Sequence, residues 1–122
     1  MEPVSTLKRT RFHAFHKAAG AKLVDFAGFE MPLRYTGDVH EHRLVRTGAG
    51  LFDISHMGEF LVKGTGAARF LDGALANDVA GMAQGQAMYS VMCRPDGGIV
   101  DDLYVSRSAD HFMLVVNASN IA

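Results

Sequence analysis

One cysteine, Cys93, and no tryptophan occur among the 122 residues. A lone thiol excludes an internal disulfide and leaves no thiolate cluster for zinc or iron–sulfur ligation, so a reducing compartment is expected. No apolar run approaches the roughly 18–20 residues that span a bilayer. Residues 1–17 lack the apolar core of a secretory signal. They combine Lys8, Arg9 and Arg11 with Glu2 and a helical pattern that continues into the fold, and a clipped transit peptide is the lesser alternative. An excess of one charge is missing too: 12 basic residues meet 13 acidic ones. With no basic patch beyond that small cluster, nothing resembles a nucleic-acid footprint. Repeats, low-complexity tracts and linkers are likewise absent.

What is present suits one globular domain with a real core: 48% of residues are apolar and 20% charged. Leu7, Arg11, Phe12, Phe15, Ala18 and Ala19 recur at near-helical spacing, predicting a helix over 6–19 capped by Ser5 or Thr6 and closed by Gly20. Residues 21–29 alternate weakly before Gly28 and Pro32, which predicts a short strand and a loop. A helix is expected over 38–47, between Gly37 and the Gly48-Ala49-Gly50 segment.

From residue 58 the pattern is more regular. A strand over 58–63 precedes a helix capped by Thr65 and carrying Ala67, Phe70, Leu71 and Leu75. Strands over 87–93, 99–107 and 112–117 follow, joined by Pro95-Asp96-Gly97-Gly98 and Ser108-Ala109-Asp110-His111, the mark of an antiparallel meander. Ser119 could cap a further helix. The order is β-α-β-β-β, and a sheet covered on one face by a single helix leaves apolar surface that a second helix would ordinarily cover.

Asp101 and Asp102 sit within the apolar run from Ile99 to Val105. Side chains alternate along a strand, so whichever face is buried carries an acid. A buried ionised carboxylate must be paired or hydrogen-bonded, and it is either structurally satisfied or chemically employed. The other candidates weigh less. His13 and His16, and His40 and His42, lack the convergent partners that zinc needs. Ser55 and His56 are adjacent and point apart in extended chain, a poor nucleophile and base pair, so a supporting role is favoured for both. Met57 could fill a core gap or lie against a planar ring. Tyr89 is more often core than ligand contact, and its phenol needs a partner if buried. The Gly48-Ala49-Gly50 and Gly64-Thr65-Gly66 segments lack the context of a dinucleotide or phosphate loop.

Five segments in order, 20–33, 50–58, 77–79, 97–103 and 115–118, resemble the N-terminal part of the glycine cleavage system T-protein family, the tetrahydrofolate-dependent aminomethyltransferases. The resemblance implies an α+β fold, with 1–50 part of an incomplete first domain and 51–122 a β-α-β-β-β, split ferredoxin-like unit of the folate-binding region. It implies transfer of the aminomethyl carbon from the lipoyl arm of a lipoylated H-protein to tetrahydrofolate, with release of ammonia. By the same resemblance the second acid of the Gly-Gly-x-x-Asp-Asp-Leu motif, Asp102, is the catalytic residue, and Asp101 is the structural member, engaged with backbone or a nearby turn. Met57, Tyr89 and Asn117 fall on folate-pocket positions, and Tyr104, sharing a face with Asp102, joins that wall.

Family members are longer, and later segments supply further folate contacts that this chain lacks. Phe29 stands where many carry tryptophan, and Ser106 where some carry an aromatic. The resemblance also implies a cytoplasmic protein, or a mitochondrial matrix one in a eukaryote. The alternatives are a related folate-dependent demethylase or oxidase folate domain, and a noncatalytic fragment that associates with itself.

Overall fold

In the computed structural model, which describes residues 6–121, the chain divides at His56/Met57 into two units. The division falls after 56 rather than after 50 because Asp53 is tied by hydrogen bonds to Thr10 and His16. Those bonds hold 51–56 in the first unit.

The first unit contains α1 (His13–Ala18), β1 (Lys22–Phe26), β2 (Phe29–Arg34) and α2 (Asp38–Thr47). Strands β1 and β2 form an antiparallel hairpin where one strand and a loop were expected. Its two turn residues, Ala27 and Gly28, both take positive φ, at 51° and 78°, as a tight turn that matches strand twist requires. An alanine in that conformation gives no turn signal in sequence.

Helix α1 is shorter than the expected 6–19, and Ser5 lies outside the described residues. Thr6 is not a cap; the chain instead runs beside the hairpin, with Lys8 N–H donating to Gly28 C=O and Glu30 N–H to Lys8 C=O. The buried face of α1 is also inverted. Phe12 and Phe15 are exposed, whereas His13 and His16 are buried. Their imidazoles reach Glu30, Tyr35 and Asp53, and these polar partners outweigh apolar periodicity in orienting so short a helix.

Helix α2 occupies 38–47 as expected. Its N-terminal approach is bound by Glu41, whose Oε1 accepts the backbone N–H groups of Tyr35, Thr36 and Gly37 at 2.8, 2.7 and 3.0 Å. These bonds hold the Glu41 carboxyl below its ordinary pKa.

The second unit runs β3 (Gly58–Lys63), α3 (Ala67–Ala74), β4 (Ala87–Cys93), β5 (Ile99–Arg107) and β6 (His111–Val116). Its four strands lie in the order β3-β6-β5-β4, every neighbour antiparallel. Ala67 and Leu71 of α3, with Leu75, Val79 and Met82 of the segment that follows it, pack on Leu103, Val105, Phe112, Leu114 and Val116. Gly66, not Thr65, precedes α3, and no side chain caps it. After β6 the chain makes a short 3-10 turn at Ala118–Asn120, not a helix begun by Ser119. Gly58 is required there, since a Cβ would meet Ile121 Cγ1 at 2.7 Å and Val116 Cγ2 at 2.9 Å. The whole is an α+β fold.

Candidate functional site

Packing of α3 decides between the two acids of β5. Asp101, Leu103 and Val105 face the core and are buried, while Asp102 and Tyr104 stand on the open face of the sheet. The strand therefore carries one acid into the interior and one to the surface.

Register then assembles the open-face group. Tyr89 of β4 pairs directly with Tyr104 of β5, and their rings meet edge to face with centroids 5.7 Å apart. The Tyr89 hydroxyl donates to Asp102 Oδ2. From the other side, Asn117 Nδ2 donates to Asp102 Oδ1 at 2.8 Å and to the Asp102 carbonyl at 3.0 Å. Gly58 pairs with Val116 across β3 and β6, so Met57 stands at the register position beside Asn117; it is half-buried. Four of the five residues singled out in sequence thus form one hydrogen-bonded and ring-contacting cluster, and Met57 adjoins it by register alone.

Asp101 is satisfied from the same corner. Its Oδ1 accepts from Asn117 Nδ2 at 2.8 Å and from Asp102 N–H at 3.0 Å, and its Oδ2 accepts from Asn117 N–H at 3.2 Å. Burial pushes the Asp101 pKa up, but the hydrogen bonds from Asn117, Asn120 and Asp102 outweigh it and hold the group below the ordinary carboxylate value. The sequence reading placed Asp101 against backbone or a turn and missed its link to Asn117, sixteen residues away. No local spacing carries that signal.

Chemically, the cluster offers an acceptor carboxylate fixed from two sides, next to two aromatic rings that are each about half exposed. A flat heterocycle bearing N–H donors suits such a surface. Two cavities among the described residues have other walls. One, of about 290 Å³, is lined in the first unit by residues including Tyr35, Leu44 and Phe52; another, of about 380 Å³, by Thr65, Arg107 and His111 among others in the second.

A second polar network, also missed in sequence, occupies the first unit. Asp53 Oδ2 accepts from Thr10 Oγ1 at 2.7 Å and lies 2.8 Å from His16 Nε2, while Asp53 Oδ1 accepts from Ser55 N–H and Ser55 Oγ. His16 Nδ1 lies 2.7 Å from the Tyr35 hydroxyl. Burial raises the Asp53 pKa, yet the bonds from Ser55, His16 and Thr10 prevail and hold it far below the ordinary value; burial and the neighbouring Asp53 push Tyr35 up. Ser55 thus serves as support for Asp53. The His56 ring meets Phe26 and Phe29 edge to face. Among the described residues no three histidine, cysteine, aspartate or glutamate side chains gather as a metal site, and no helix is long and apolar enough to cross a membrane.

Comparison with known proteins agrees across the chain. An aminomethyltransferase of Chlorobaculum tepidum is 56% identical over 115 residues, covering 93% of this chain and 32% of its own length. One of Chloroherpeton thalassium is 56% identical over 116 residues, with 94% and 32% covered. The crystal structure of glycine cleavage system aminomethyltransferase T from Bartonella henselae superposes with a TM-score of 0.85 at 45% identity, covering 94% of this chain and 32% of that one. The chain thus spans about a third of the length of these relatives. Residues 12–122 match the model of the GCVT N-terminal domain, and the chain belongs to that family.

Proposed function

We propose that this chain supplies the catalytic carboxylate and one wall of the folate site of an aminomethyltransferase, which moves the aminomethyl carbon from the lipoyl arm of H-protein to tetrahydrofolate, releasing ammonia and leaving the dihydrolipoyl arm. The observation that carries this reading is Asp102: an acid on an open sheet face, fixed by Tyr89 and Asn117 and flanked by aromatic rings. The names of the relatives and their identity across the chain support it.

Each residue has a task that its chemistry allows. Asp102, held by two donors, keeps further lone pairs on the carboxylate to accept an N–H from the folate amine, orienting that nitrogen and receiving its proton. Tyr89 and Tyr104 offer ring surface to the flat pterin, and Met57 a polarizable thioether. Asn117 fixes one oxygen of Asp102 while bordering the same wall. Tetrahydrofolate supplies the nucleophilic amine and accepts the carbon; the lipoyl arm belongs to the partner protein. Cytoplasmic residence accompanies this reading.

The test is a chimera in which residues 12–121 replace the matching segment of the Chlorobaculum tepidum enzyme. Asp102→Asn should lower aminomethyl transfer by about 10²–10⁴ in rate, with little change in melting because Asp102 faces outward. Undiminished turnover in that variant rejects the assignment.

A second reading, self-association of the 122-residue chain, is favoured by apolar side chains left in solvent, among them Leu51, Phe52, Ile54 and Leu61. A chain with one wall of a site should also bind tetrahydrofolate weakly and leave the transfer uncatalysed. Sedimentation at several concentrations and calorimetric titration with tetrahydrofolate check both. A monodisperse monomer that binds folate tightly overturns them.

A further inference from the structure

We infer that Asp101 is a positioning residue for the proposed transfer: it leaves the folate untouched and acts through Asn117 to hold the Asp102 carboxylate in its working orientation. This inference rests on the reading of Asp102 given above.

The argument begins with what an amide can face. Asn117 has one end that donates and one that accepts, whereas an ionised carboxylate only accepts. Asp101 Oδ1 and Asp102 Oδ1 both lie 2.8 Å from Asn117 Nδ2. With carboxylates on both sides, the amino end has to face them, and its two N–H groups are divided between the acids. The Asn117 carbonyl oxygen is thereby turned away from both.

Asp101 is what makes this orientation rigid. It is buried, held ionised by its hydrogen bonds, and anchored by donors that include Asn117 N–H, Asn117 Nδ2 and Asp102 N–H. Asp102, by contrast, stands on the open face, where a short carboxylate would otherwise sample several staggered rotamers. The fixed donors on it are the Asn117 amide and the Tyr89 hydroxyl, and Tyr89 is itself more than half exposed. Of the two, the amide is the one locked to the interior. A carboxylate on the core face thus governs its sequence neighbour on the opposite face, through a residue of the adjacent strand end.

Neutralising Asp101 removes this control. In Asp101→Asn the new amide brings a donor of its own, the Asn117 amino end loses one of its two anionic partners, and its bond to Asp102 Oδ1 loses the interior anchor that fixes its direction. A misplacement of about 1 Å at a reacting group costs about 10²-fold in rate.

Two measurements test the inference. In the 122-residue chain, NMR should show slow-exchanging Asn117 side-chain amide protons and a single Asp102 χ1 rotamer; Asp101→Asn should speed that exchange and average the Asp102 couplings. In the chimera, Asp101→Asn should lower kcat about 10²-fold, and the same substitution on an Asp102→Asn background should lower it no further, since Asp101 works through Asp102. Should Asp101→Asn fail to fold, Asn117→Ala cuts the same link and should release the Asp102 rotamer and show the same non-additivity in kcat. Losses that multiply, or an Asp102 rotamer that stays single in Asp101→Asn or Asn117→Ala, overturn the inference. Full turnover in Asp102→Asn alone instead removes the catalytic reading, and the NMR result then still decides whether Asp101 orients Asp102.

Discussion

His16 Nε2 and Asp53 Oδ2 lie 2.8 Å apart, thirty-seven residues apart in sequence, with side chains only 6% and 4% exposed. The pair joins α1 to the segment that leads out of the first unit, and it turns this short helix so that its histidines point inward.

Loss of the Asp53 carboxylate should be costly. Removing one member of a buried, hydrogen-bonded pair typically costs about 3–5 kcal/mol, and Asp53→Ala is expected at that level in chemical denaturation. Asp53 also sets an acid limb. Its folded pKa is depressed, so its contribution is complete above about pH 4, where the unfolded carboxylate is ionised, and is lost as pH falls from there toward the lower folded value. Asp101 is depressed in the same direction and adds to the same limb. Asp53→Asn should flatten the fall in stability between neutral and acid pH; acid limbs that run parallel in the two proteins would contradict the assignment.

Glu41→Ala removes the acceptor shared by three consecutive backbone N–H groups. Amide exchange at Tyr35, Thr36 and Gly37 should accelerate and the first turn of α2 should fray, while exchange in the β5 and β6 ladder of the second unit stays unchanged. Equal protection at Tyr35–Gly37 in both proteins would show that the bonds are not maintained in solution.

Gly58→Ala should destabilise the second unit by about 1–3 kcal/mol, the usual range for forcing a methyl group into packed surroundings. The cause is steric, since Ile121 and Val116 stand within 3 Å of the added Cβ. Ile121→Ala combined with Gly58→Ala should recover part of the loss. Thermal melting of the two single variants and the double variant measures it; no recovery places the strain on Val116 alone.

Leu71→Ala, at a side chain only 2% exposed in the α3 core, should cost about 2–5 kcal/mol, from lost burial and from the cavity left behind. Phe70→Ala, one position along on the exposed face of the same helix, should cost much less. Denaturant melts of the two compare burial directly, and equal losses would mean that α3 is placed the wrong way round.

Much of the second unit was legible in sequence because its signals are local. The turn Pro95-Asp96-Gly97-Gly98, with Gly97 at φ 83°, separates two apolar runs, and strands β4 and β5 appear over the residues expected. Period-two alternation likewise required that Asp101 and Asp102 point to opposite faces. Alternation alone gives parity without saying which parity is inside. That was decided by α3 and its C-cap, whose Leu71 and Leu75 pack on the Leu103 and Val105 side and leave Asp102 in the open.

The rest depends on pairs distant in sequence. Asp101 with Asn117, Tyr89 with Asp102, and His16 with Asp53 come together through strand register or through burial of a polar pair, and no spacing in the chain encodes them. The first helix shows the difference most plainly: its apolar spacing predicted the phenylalanines inside, yet one and a half turns of helix contribute too little burial to compete with buried hydrogen bonds from both imidazoles. Local chemistry therefore determined the strands and turns of the second unit and the opposed acids. Tertiary packing alone decided which acid stands on the open face and which is buried against the core.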